Sequence, residues 1–191
     1  MPVLEILEIG HPTLRKQARN LTPAELKSDK IQAFIDDLIA TMRHANGAGL
    51  AANQVGQPLQ ICAIEVSNNP RYPYKPSIPL TVLVNPQIVP VGERTFENYE
   101  GCLSVPNLRG VVERHCEIQL HALDRHGTPI QKNIVGLSAG TFQHEVDHLN
   151  GKLFVDRVRD PHTLCTWEQY REHQEQAFVS NIKKLISEYG S

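Results

Sequence analysis

No stretch of this chain stays apolar for anything near the ~20 residues that cross a bilayer, and its longest apolar runs, at 61–64 and 82–84, are only a few residues long. A helical membrane span is therefore not expected. Cysteine is scarce: Cys62, Cys102, Cys116 and Cys165 include no Cys-x-x-Cys pair, which excludes a disulfide scaffold and favours a reducing compartment. Neither charge sign dominates. Nineteen Lys plus Arg against 21 Asp plus Glu leave a net charge of −2, so there is no electrostatic footprint for nucleic acid or an anionic membrane. A basic leader segment is also missing, because Glu5 and Glu8 interrupt the first apolar residues; with no signal or transit peptide visible, a cytoplasmic location is expected. Repeats, low-complexity tracts and linkers are absent too, and 191 residues suit a single domain over 1–191.

What is present reads as alternating blocks of helix and strand. Thr22-Pro23-Ala24-Glu25 has the form of a capping box, followed by apolar residues at 31, 34, 35, 38, 39 and 42, which predicts an N-terminal amphipathic helix ending near Asn46-Gly47. Residues 59–66 read as a strand, and 67–79, with four prolines, as an exposed loop. Pro86 and Pro90 interrupt the next β pattern and point to an edge strand or two short pieces. Strict alternation over 116–122, then a Gly-containing turn at 124–128, predicts a meander. A helix carrying 142–149, a short strand at 153–155 and a long polar helix over about 162–189 complete the chain. With strands clustered between 59 and 135, the expected class is α+β: antiparallel β-sheets packed around a central metal-binding helix, with an N-terminal helix and a long C-terminal helix.

The sharpest chemistry lies in His144-Glu145-Val146-Asp147-His148. Two residues four apart on a helix share a face ~6 Å apart along the axis, so both imidazoles can reach one metal ion. Glu145, one position on from the first histidine, is placed to act as general base on a water at that ion. A third ligand is needed. Phe154 stands where a metzincin would have its third histidine, which closes that route. Glu168, 20 residues after His148, would serve a thermolysin-like site, although on a polar helix it also reads as a solvated carboxylate. Cys102, in the polar loop Glu100-Gly101-Cys102-Leu103-Ser104, is the better candidate. The neighbouring glycine lets the sulfur approach an ion and complete a Cys-His-His set with one open position.

Three segments, in order and spacing, resemble the peptide deformylase family: residues 47–54 (Gly-Ala-Gly-Leu-Ala-Ala-Asn-Gln), 100–104, and 143–149 (Gln-His-Glu-Val-Asp-His-Leu), within a similarity spanning about residues 4–158. The resemblance implies a metal-dependent hydrolase that removes the formyl group from N-formylmethionyl nascent peptides, a step of protein biosynthesis with the ribosome nearby. It implies one divalent ion per chain, natively Fe(II), with Zn(II), Ni(II) or Co(II) able to replace it, held by Cys102, His144 and His148. It further implies Glu145 as general base and acid, the Gln54 side chain and the Leu103 backbone N–H as oxyanion donors, and Ala48, Gly49 and Gly101 as backbone partners of an extended peptide. Arg109 and Arg114 look like residues that steady substrate or loop.

One departure concerns Gly140, where the family more often carries a larger side chain; it bears on a methionine pocket expected near Leu137, Gly140, Thr141 and His144. Two other readings remain beside this one. A generic zinc metalloprotease would take Glu168 as its third ligand, and a non-catalytic metal-binding module would have no use for Glu145.

Overall fold

The computed structural model describes residues 2–191. Two helices open it, α1 (Pro23–Leu26) and α2 (Asp29–His44). The Thr22–Glu25 capping box is present, but the helix it starts lasts four residues before Ser28 caps α2 afresh. The strands are β1 (Gly49–Ala51), β2 (Ile61–Val66), β3 (Ile78–Pro90), β4 (Thr95–Cys102), β5 (Val105–His115), β6 (Glu117–Leu123) and β7 (Pro129–Val135). After them come α3 (Gly136–Leu149), α4 (Trp167–His173) and α5 (Glu175–Tyr189).

Five strands form one sheet in the order β1-β2-β3-β6-β7, antiparallel throughout, while β4 and β5 pair only with each other. β2 shows why the sheet lies in the middle of the molecule. Successive side chains of a strand point to opposite faces, and here both faces are apolar. Ile61 and Ala63 join Ile35, Leu38 and Met42 of α2, whereas Cys62 and Ile64 join Ala139, Phe142 and Leu149 of α3. α3 is thus held between the sheet and the β4–β5 hairpin, buried along nearly all of its length.

Four sequence expectations change. The proline-interrupted segment is one 13-residue strand inside the sheet, not an edge; β2 pairs its first half and β6 its second, and the register shifts between Val84 and Gln87, where Asn85 takes φ 52°. Pro86 sits at that bulge, where the interrupted ladder requires no N–H. Residues 154–157 form a 3₁₀ turn instead of a strand. The long C-terminal helix is two helices, broken at Gln174. Finally, Cys102 is the buried last residue of a strand and not part of a polar loop. No described helix is long and apolar enough to cross a membrane.

Candidate metal centre

α3 presents His144 and His148 one turn apart, and the end of β4 brings Cys102 to them. His148 Nε2 lies 3.2 Å from His144 Nε2 and 3.3 Å from Cys102 Sγ, and one donor atom from each residue falls within 4.8 Å of the others. Metal–nitrogen bonds of ~2.0–2.1 Å and a metal–sulfur bond of ~2.3 Å give edges of about 3.3–3.6 Å in a tetrahedron, so the three donors already have the spacing of a shared ion. Two imidazole nitrogens and a sulfur suit a borderline-soft divalent metal, and three protein donors leave a fourth position for a reactant. Glu168, by contrast, is exposed on α4 and takes no part in this group.

The candidate ligands are themselves held. Glu100 Oε2 accepts from His144 Nδ1 at 2.8 Å, which leaves Nε2 as the ring's lone-pair donor. Arg114 binds Glu100 through Nε at 2.7 Å and Nη2 at 2.8 Å, and reaches Asp147 through Nη1 at 2.6 Å. Arg157 grips the same Asp147 from outside. Burial works against the Glu100 charge, but Arg114 and His144 hold its carboxyl well below the usual range. For His148, burial and the neighbouring His144 and Arg114 push the other way and keep the imidazole neutral, the form that ligates. Sequence reasoning missed Glu100 as a histidine-orienting group, although a strand spacing of two from Cys102 already puts both side chains on one face.

Glu145 is 4% exposed, and its Oε2 has no hydrogen-bond partner among the described residues. Burial raises its pKa to about 7, against the pull of His144 and Lys75. Gly49 of β1 makes room for it: a Cβ there would lie 2.4 Å from the Glu145 carboxylate. Gln54 is also fixed. Its Oε1 accepts the Ala51 N–H at 2.9 Å, so its Nε2 is turned inward, 3.0 Å from Ser104 Oγ and 3.4 Å from Cys102 Sγ.

Gln54, Cys102, His144 and Glu145 line one cleft, together with Ala48, Gly49, Gly101, Leu103, Gly140 and Thr141. β1 pairs only with β2 and β4 only with β5, so two unpaired strand edges flank the cleft. Leu137, expected at this wall, instead packs with Tyr170 and Phe178. Gly140 does line it; a Cβ there would come within 3.0 Å of Phe96, so the aromatic ring fills space that a larger helix residue would take. Arg109 does not line the cleft. It is fully buried behind Gly101, stacked on Trp167 and Tyr170 at 4.2 and 4.1 Å, with Nη2 donating to the Tyr99 carbonyl.

The family model described as polypeptide deformylase matches residues 3–163. Peptide deformylase 2 of Nostoc sp. is 42% identical over 170 residues, 89% of this chain and 94% of that protein. Among solved structures, the Met-Ala-Ser-bound class I type b peptide deformylase of Acinetobacter baumannii matches with a TM-score of 0.79 and 38% identity, covering 82% of this chain and 99% of that one. An actinonin-bound peptide deformylase of Synechococcus elongatus matches with a TM-score of 0.75 and 30% identity over 100% of this chain and 87% of that one.

Proposed function

Because this chain belongs to the polypeptide deformylase family, we propose that it removes the formyl group from N-formylmethionyl nascent peptides, using a divalent ion held by Cys102, His144 and His148. The observation that carries this reading is the convergence of those three donors beside an unpartnered, buried Glu145. When bound, the ion supplies Lewis-acid polarisation of a carbonyl and of a water. Fe(II) is the proposed native metal, with Zn(II), Ni(II) or Co(II) as substitutes.

Each neighbouring residue then has a task. Glu145 takes a proton from the attacking water and delivers it to the amine nitrogen as the carbon–nitrogen bond breaks, so formate leaves and a free amino terminus remains. Gln54 Nε2 and the Leu103 N–H donate to the formyl oxygen as it gains negative charge. The extended peptide lies between the free edges of β1 and β4, pairing with backbone at Ala48, Gly49 and Gly101; that the Acinetobacter relative binds Met-Ala-Ser supports a short peptide as the ligand. Arg109 acts as a positioning residue, bracing β4 from behind Gly101. The whole chain is read as one catalytic unit, with α4 and α5 docked through Tyr170 and Phe178 onto Leu137 of α3. Its substrate class puts the enzyme in the cytoplasm, close to the ribosome.

The test is formate release from formyl-Met-Ala-Ser by anaerobically purified protein, followed by mass spectrometry of the peptide. Loss of the formyl group alone, with internal bonds intact, is expected. Cleavage of an internal peptide bond would favour a metalloprotease instead.

A further inference from the structure

Arginines in this protein almost all have a carboxylate partner. Arg15, Arg19, Arg43, Arg94, Arg114, Arg125, Arg157 and Arg159 each form an ion pair. The three that form none among the described residues, Arg71, Arg109 and Arg171, all lie in one place, over the rings of Tyr72, Trp167 and Tyr170. Lys75 joins them, its Nζ 4.8 Å from the Tyr72 ring centroid and likewise without an ion pair. In a chain of net charge −2, four cations without an ion-pair partner gather around three rings, with the charges of Glu100 and Glu145 acting on Lys75 from across the cleft.

Two of the four face the reaction site. Arg71 and Lys75, both half-buried, line the same cleft as Cys102, His144 and Glu145. They come from the connection between β2 and β3, which is anchored to the cleft rather than hanging free: Asn69 Nδ2 donates to the carbonyls of Asn46 and Gly47 at 3.1 and 3.3 Å, and Tyr72 is buried. Lys75 Nζ donates to Thr141 Oγ1 at 3.0 Å, and Thr141 stands three residues before His144 on α3.

Resting on the deformylase reading above, we propose that Arg71 and Lys75 form a carboxylate-recognition element that makes this enzyme favour formylated peptides bearing an acidic group within their first three residues. The aromatic faces hold the cations in place without neutralising them, so their hydrogen-bonding and Coulomb capacity stays available to a ligand. Burial lowers the Lys75 pKa to about 8, ahead of the opposing pull of Glu100, and an arriving carboxylate relieves that desolvation. A peptide's own terminal carboxylate offers the same chemistry as an acidic side chain, and only the substrate distinguishes them.

The test compares kcat/KM for amidated formyl-Met-Ala-Ser, formyl-Met-Asp-Ser and formyl-Met-Ala-Asp, and for formyl-Met-Ala with free or amidated terminus. An acidic substrate should be favoured on the order of 10-fold, mainly through KM, with the advantage shrinking as salt rises. In Lys75→Met and Arg71→Met the acidic-to-neutral ratio should fall towards one, while Lys132→Met, exposed on β7, should keep it. Calorimetric binding of Met-Asp-Ser against Met-Ala-Ser, on wild type and both variants, reads the same preference without turnover. A wild-type ratio within about twofold of one, or a preference that survives both substitutions, overturns the proposal. Failure of every formylated peptide to release formate would instead reject the deformylase reading, and the calorimetric ratio would still decide this one.

Discussion

A single missing side chain sets the position of the Glu145 carboxylate, the proposed proton-transfer group. Gly49 is in strand conformation and needs no special φ; it is glycine because the Glu145 carboxylate occupies the space where a Cβ would go, at 2.4 Å. Gly49→Ala should therefore displace the carboxylate while leaving Cys102, His144 and His148 in place. A shift of ~1 Å at a catalytic group costs about 10²-fold, so kcat should fall by roughly that factor with one ion per chain retained, as turnover and metal analysis would show. Activity within a few-fold of wild type would mean that the glycine serves only backbone pairing. The sequence made Gly49 legible as a place of close approach, but what approaches comes from a helix 96 positions later. Arg109 was harder to read. Its chemistry suggested a substrate contact, whereas its stacking on Trp167 and Tyr170 depends on a C-terminal helix whose docking no local pattern reveals.

At the level of elements, α3 and the β4–β5 hairpin are locked by the chain Arg157–Asp147–Arg114–Glu100–His144, which runs from the exposed Arg157 into the buried Arg114 and Glu100. Arg114 is the shared member, 2% exposed and bonded to two carboxylates at once. Replacing it with Met would leave the buried Glu100 with only His144 as a partner, while Asp147 keeps Arg157, at a cost of about 3–5 kcal/mol. It would also free Glu100 from its grip on the His144 ring, weakening metal affinity about 10- to 100-fold. Denaturant titration and a chelator competition would check these effects together. Arg114→Lys, which keeps the charge but cannot fork to both partners, should fall between wild type and Met. Equal stability for Met and wild type would show that the network is not structural. The elements themselves were unevenly legible. β2 and α2 carry their burial pattern in the sequence, but the break at Gln174 carries no proline or glycine. There the Gln174 backbone departs to φ −118°, and the Tyr170 and Phe178 rings on either side of it pack together at 6.2 Å.

For the molecule as a whole, the fold serves to bring a strand end, a buried helix and an edge strand to one point. Most of that point was readable, because His144, Glu145 and His148 are related by helix geometry alone and Cys102 stands beside a glycine in a short polar motif. What was not readable is long-range: the pairing of β4 and β5 as a separate hairpin, and the β2–β3 connection that folds back over the cleft instead of standing in solvent. Prolines marked that connection as irregular, and irregular chain reads as exposed until Tyr72 and Asn69 are seen buried. The central claim is a division of labour, in which three residues hold the ion and a fourth moves the proton. It is tested most directly by measuring bound metal and formate release side by side, in protein purified without oxygen, for wild type, Cys102→Ala and Glu145→Ala. Wild type should carry one ion and turn over, Cys102→Ala should lose both, and Glu145→Ala should keep its ion while turnover drops about 10²- to 10⁴-fold. An ion lost from Glu145→Ala, or metal and activity both retained in Cys102→Ala, would contradict it.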